Sequence, residues 1–168
     1  MGLDTRAQAK VAAYCMIYGG GDSRLGEITG GGRVEGKQLK AKFLKNIPAF
    51  KHLLDAVEQK VKSLGYLRGL DGRELPARSS HSALNLLLQS AGAVIMKQAL
   101  IEFCNTATLD YEMHANVHDE VQFSCAREDA DILGNEFVAS IKTAGHTLNF
   151  KCPLDGEYHI GLNWKETH

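Results

Sequence analysis

Residues 82–104, SALNLLLQSAGAVIMKQALIEFC, constrain the fold more than any other part of the chain. The run is long, rich in helix-forming residues and apolar around most of its circumference, which predicts a buried helix against which other elements pack. Ser80 or Ser82 can cap its start. One stripe interrupts the apolar surface: His81, Asn85 and Gln89 recur at four-residue steps and share a face. Polar groups on a buried helix need partners, either internal or from a ligand; base edges or sugar oxygens in a minor groove would serve.

The remaining segments divide around this helix. Residues 3–21, LDTRAQAKVAAYCMIYGGG, predict a helix capped by Asp4 or Thr5 and ended by three glycines. Two glycine clusters then flank a short helical or turn segment. Residues 37–66 carry apolar side chains at helical spacing, and Pro48 breaks them into two helices. Asp71-Gly72 signals a hairpin turn. After the long helix, HANVHDEVQFSC (residues 114–125) reads as strand, tight turn, strand, with His118, Asp119 and Glu120 at the corner. An amphipathic helix with an acidic start follows from residue 127, and strand-like pieces close the chain. The expected class is α+β: a helical, basic, glycine-punctuated part followed by a mixed part, with no repeat and no low-complexity linker.

Net charge is −1, yet residues 1–80 hold 14 Lys/Arg against 8 Asp/Glu, and residues 81–168 hold 5 against 12. A basic half joined to an acidic half suggests a polyanion handled by one and a metal held by the other; chance clustering on solvated faces is the plainer alternative. No apolar run approaches the roughly 18–20 residues needed to cross a bilayer. The N-terminus lacks a secretory h-region, and Arg6 breaks the myristoylation pattern. A cytoplasmic protein without a membrane partner is expected. Cys15, Cys104, Cys125 and Cys152 are widely spaced and predict buried thiols, neither disulfides nor zinc ligands.

Three patterns could carry chemistry. Arg6, Lys10, Tyr14 and Tyr18 recur every four residues, so they form one stripe on the first helix. Two cations near a helix N-terminus oppose its dipole at a cost of roughly 0.3–1 kcal/mol, unless an anion binds there. The alternative is a solvated basic end with both tyrosines packed in a core. GGRVEGK, residues 31–37, fits a phosphate-binding G-x-x-x-x-G-K, but Gln38 stands where Ser or Thr is needed and no apolar strand precedes it. Asp119 and Glu120 could hold Mg²⁺, against the alternative of an ordinary Asp-containing turn. Two-metal phosphoryl transfer needs carboxylates from more than one segment, and no second acid-bearing strand is evident.

Together these pieces resemble the family A (Pol I-like) DNA polymerases. RAQAKVAAYCMIYG is similar to the family's fingers motif, Arg-x3-Lys-x7-Tyr-Gly, with Arg6, Lys10, Tyr18 and Gly19 filling every fixed position. VHDE, residues 117–120, resembles its palm motif, and LDGRELPARSSHSALNLLLQSAG resembles the segment between, nearest the replicative phage branch. The similarity runs from about residue 3 to His168. It implies an incomplete right-hand fold, with residues 1–66 as a fingers portion and 67–168 as the C-terminal part of a palm.

The resemblance also implies roles. Arg6 and Lys10 would grip the triphosphate of an incoming deoxynucleotide, with Lys10 counted among the catalytic groups. Tyr14 would contact its sugar, where tyrosine implies tolerance of a missing 3′-hydroxyl, and Tyr18 would stack near the templating base. Asp119 would be a metal ligand, Glu120 a supporting acid and His118 a contact near the primer end. Asn85 and Gln89 would touch the duplex, with Arg73 a further contact. His81 stands where many relatives have Arg. Two Mg²⁺ ions would assist the transfer. The family's other metal-binding Asp lies on a strand upstream of the fingers helix, only five residues precede Arg6 here, and thumb and exonuclease regions are likewise missing. The expectation is therefore a polymerase split between two polypeptides, or a fragment, sharing its metals with an upstream partner chain. A binding module that retains the fold without turnover is the competing expectation.

Overall fold

The structure, a computed structural model, describes residue 3 and residues 5–168. Asp4, one of the two expected caps, lies outside the described residues. The chain forms two compact units, Met1–Gln89 and Ser90–His168.

The first unit holds α1 (Arg6–Ile17), α2 (Asp22–Ile28), α3 (Arg33–Asn46), α4 (Pro48–Leu64), β1 (Tyr66–Arg68), β2 (Glu74–Pro76) and the start of α5 (Ser80–Thr106). Thr5 caps α1: its hydroxyl accepts from the Gln8 N–H at 3.2 Å, while the Gln8 amide oxygen accepts from the Thr5 N–H at 3.3 Å. Pro48 separates α3 from α4 and occupies the first position of α4, where its missing N–H costs no helical bond. Two glycines outside the clusters serve close packing. Gly26 and Gly36 are buried, and a side chain at Gly36 would collide with the Asp22 carbonyl oxygen of α2. GGRVEGK follows the helix α2 instead of a strand, and its last five residues already belong to α3.

Two cores organise this unit. Ala12, Met16, Leu25, Leu39 and Phe43 join α1, α2 and α3. Val57, Leu67, Leu75, Ala83 and Leu84 join α4, the hairpin and the start of α5. β1 and β2 pair antiparallel with Leu67 opposite Leu75, so both leucines point into the second core.

The second unit holds the rest of α5, β3 (Glu112–Val117), β4 (Glu120–Ser124), α6 (Ala130–Thr147) and a terminal turn α7 (Trp164–Thr167). Phe103 is fully buried and meets Tyr111, Phe123 and Phe137 at ring separations of 4.9, 5.0 and 5.3 Å. These rings seat the β3–β4 hairpin on α5 and α6. Among the described residues, β3 and β4 pair only with each other.

Three expectations need correction. α5 is long and apolar enough by length and composition to cross a membrane. Counting uninterrupted runs missed this, because single polar residues end a run without much lowering a mean. A core helix passes the same test, and Ala83, Leu84, Ala99 and Phe103 of α5 are buried in protein. The cysteines are free, but none is fully buried: Cys15 and Cys125 are half-buried, Cys104 and Cys152 exposed. A thiol on a helix or loop follows the face its neighbours dictate, and Cys104 falls on the outer side of α5. The strand-like residues 150–164 join no ladder among the described residues, and Trp164 instead opens α7. Strand propensity needs a paired edge before it becomes a strand.

Candidate functional site

The stripe on α1 lies outside the core. Ala12 and Met16 on the opposite face are 0% and 5% exposed, whereas Tyr14 and Tyr18 are 47% and 50% exposed. Their rings stack at 6.0 Å and 11°, and the Lys10 ammonium sits 5.8 Å from the Tyr14 centroid. Arg6 and Lys10 are exposed, and neither pairs with a carboxylate among the described residues. The alternative of core tyrosines is thereby removed. What remains is a solvent-facing row of two exposed cations and two stacked rings, suited to a phosphate at one end and a flat apolar or aromatic group at the other.

The row ends beside α5. Gly19 has φ +76°, and a side chain there would overlap the carbonyl oxygen of His81. Glycine thus lets the end of α1 approach the first turn of α5, which brings Tyr18 and His81 to neighbouring backbone positions. His81 and Gln89 are exposed, and Asn85 is half-buried. The Asn85 Oδ1 is buried with no hydrogen-bond partner among the described residues. A buried unpaired acceptor is rare in folded proteins. Arg73 lies in the loop between β1 and β2. Its Nε donates to Asp71 Oδ2 at 2.6 Å, which raises the guanidinium pKa and holds the Asp71 carboxyl below its ordinary range.

In the second unit, β3 and β4 are joined by His118 and Asp119 alone, with Val117 paired to Glu120. His118 adopts φ +57°, a left-handed conformation usually taken by glycine. Strain of this kind concentrates at functional sites. Asp119 is exposed and makes no hydrogen bond or ion pair among the described residues. Glu120 differs sharply. Its Oε2 lies 2.8 Å from His168 Nδ1, and its Oε1 accepts from Trp164 Nε1 at 2.6 Å and from the Gln122 amide. The His168 ring first, then Gln122 and Trp164, hold its carboxyl below the usual glutamate range. The sequence reading missed Gln122, Trp164 and His168. Gln122 had a signal, since alternate residues of a strand share a face. Trp164 and His168 had none beyond being polar-tipped rings near the end.

A cation would find one unencumbered carboxylate here. No group of three or more His, Cys, Asp or Glu side chains that could hold a metal occurs among the described residues. Mg²⁺ commonly takes one or two carboxylates together with substrate phosphates, so Asp119 fits as part of such a set and not as a whole one.

The model of DNA polymerase family A matches residues 1–166. The chain is similar to the DNA-directed DNA polymerase of Escherichia phage Phieco32, 42% identical over 177 residues, covering 99% of this chain and 29% of that protein. It is similar to the DNA-directed DNA polymerase of Escherichia phage T7, at 38% identity with coverages of 99% and 27%. DNA polymerase I of Aquifex aeolicus is 30% identical, with coverages of 96% and 30%. The chain thus spans less than a third of the length of these relatives. In fold it is similar to a solved structure of the POL domain of Pol1 from M. smegmatis in complex with DNA primer-template and dNTP. The TM-score is 0.74 at 21% identity, with 83% of this chain and 27% of that one covered.

Proposed function

The chain belongs to DNA polymerase family A, and on that premise we propose that it is the C-terminal part of a DNA-directed DNA polymerase that extends a primer 3′ end. The observation that carries the reading is the exposed row Arg6–Lys10–Tyr14–Tyr18, with its cations in no ion pair among the described residues and its rings turned away from the core.

The primer 3′-oxygen attacks the α-phosphorus of a deoxynucleoside triphosphate. A new P–O bond forms, the bond from that phosphorus to the bridging oxygen breaks, and pyrophosphate departs while the hydroxyl proton passes to solvent. Arg6 offers a planar fork of donors to the triphosphate, and Lys10 a point charge that neutralises the leaving pyrophosphate. Tyr14 meets the sugar, and Tyr18 stacks beside the templating base. Asn85 and Gln89, with His81 and Arg73, contact the duplex; the exposure of His81 and Gln89 supports this. His118 lies near the primer end. Asp119 is the carboxylate that would hold Mg²⁺, with Glu120 as supporting acid. Two such ions supply charge stabilisation at the reacting phosphate when bound. The second metal-binding Asp comes from a companion polypeptide that also brings the rest of the palm and the thumb. In these terms residues 1–66 act as fingers and 67–168 as palm, in the cytoplasm of a bacterial host.

The test mixes this chain with the upstream polypeptide and measures Mg²⁺-dependent primer extension. Asp119→Ala should abolish synthesis while leaving fold and assembly intact. DNA binding without any extension by the associated wild-type chains would favour a non-catalytic binding module.

A further inference from the structure

Glu120 is fixed from far along the chain. Besides Gln122 on its own strand, its two donors are Trp164 and His168, more than 40 residues away in sequence. Thr167 Oγ1 adds a bond to Gln122 Oε1 at 3.2 Å, so three residues at the end of the chain grip two residues of β4. The turn is itself braced. Glu166 accepts from the Leu162 N–H and from the Asn163 amide, both at 2.8 Å, and its carboxylate is thus engaged away from His168. The Trp164 and His168 rings meet edge to face at 6.4 Å.

Burial does not explain this arrangement. Trp164 is 47% exposed and the His168 side chain 74% exposed, so neither ring anchors a core. Their donors instead converge on one carboxylate, on the two separate oxygens, which fixes its plane as well as its position. The neighbouring Asp119 is left without any such bond. A glutamate has three rotatable bonds, and one next to a reacting centre is effective only when its geometry is held by surrounding groups.

We propose that Trp164 and His168 are positioning residues that lock the Glu120 carboxylate beside Asp119 for nucleotidyl transfer. This role rests on the polymerase reading above. Gln122 shares the task and is itself held by Thr167.

The experiment has two arms. Trp164 is the only tryptophan in the chain, so its indole N–H gives a single resonance. Hydrogen exchange at that N–H should be slower in the wild type than in Glu120→Ala; equal rates would overturn the contact. The second arm is primer extension with the upstream polypeptide. Trp164→Phe keeps an aromatic ring and removes the donor, and it should lower kcat by about 10–100-fold, the usual range for supports of a metal-binding centre. KM for the nucleotide should stay within about twofold, because the triphosphate contacts assigned to α1 are untouched. His168→Ala should behave alike, and His168→Gln, which retains a donor, should recover most of the loss. Unchanged kcat in the Trp164→Phe/His168→Ala double variant overturns the positioning role, as does a loss confined to KM. Failure of the wild-type chains to extend a primer defeats the polymerase reading instead; slow indole exchange would then show a structural staple only.

Discussion

Replacing Gly19 by alanine should destabilise the first unit by about 2–5 kcal/mol through two separable effects. The first is conformational: at φ +76° an L-residue is worse than glycine by about 1–2 kcal/mol. The second is steric. The added methyl would overlap the His81 carbonyl oxygen and lie 3.2 Å from its carbon. That obstacle is backbone and cannot rotate aside, so the end of α1 and the first turn of α5 must separate. Comparable overpacking costs roughly 1–3 kcal/mol. Two other glycines divide the sum. Gly30 has φ +70° with nothing within 4 Å of where a β-carbon would stand, so Gly30→Ala should show the conformational part alone. Gly36 is helical and a methyl there would strike the Asp22 carbonyl, so Gly36→Ala should show the steric part, less the roughly 1 kcal/mol by which alanine favours a helix. Urea unfolding followed by circular dichroism measures all three, with equal m-values confirming a common transition. Separation of Tyr18 from His81 should also weaken nucleotide binding in Gly19→Ala and not in Gly30→Ala. A Gly19→Ala variant no less stable than Gly30→Ala would refute the close approach of α1 to α5.

Three further outcomes follow from particular contacts. Phe103→Ala removes the ring that Tyr111, Phe123 and Phe137 share, and should cost about 3–5 kcal/mol in thermal unfolding; a cost under about 1 kcal/mol would mean the ring cluster is not a core. His118→Gly relieves φ +57° at the hairpin corner and should stabilise the second unit by about 1 kcal/mol, while primer extension falls with loss of the imidazole; a variant both less stable and fully active contradicts this. Arg73 holds the Asp71 carboxyl below its ordinary range. A depressed folded pKa contributes stability that is present above the unfolded value, about 3.9, and lost as pH falls through the folded one. The difference in urea midpoint between pH 6 and pH 3 should therefore shrink in Asp71→Asn, and an unchanged difference would count against the pair.

Much of the site is legible in the sequence because its parts are local. Four-residue spacing puts Arg6, Lys10, Tyr14 and Tyr18 on one face of any helix, and α1 forms where Thr5 and Gln8 can cap it. Pro48 breaks a helix through its own ring, and a two-residue connection between alternating strands places His118 and Asp119 at a corner. What periodicity cannot give is which face meets the core. The stripe residues could equally have been packed or exposed, and only the seating of Ala12 and Met16 against Leu25, Leu39 and Phe43 turned the tyrosines outward. The same limit hid the cysteines' exposure and the lack of a strand partner for residues 150–164 among the described residues, both of which depend on neighbours distant in sequence.

The two carboxylates at the hairpin corner show the division most clearly. By itself the sequence determined that Asp119 and Glu120 stand together at a turn, since backbone geometry over six residues suffices for that. Tertiary structure alone decided that they differ: Asp119 has no hydrogen bond or ion pair among the described residues, while Glu120 is bound by Trp164 and His168 from the far end of the second unit. Hydrogen bonds across 44 and 48 residues leave no periodic trace in a sequence, because they depend on where packing delivers two side chains and not on the spacing between them.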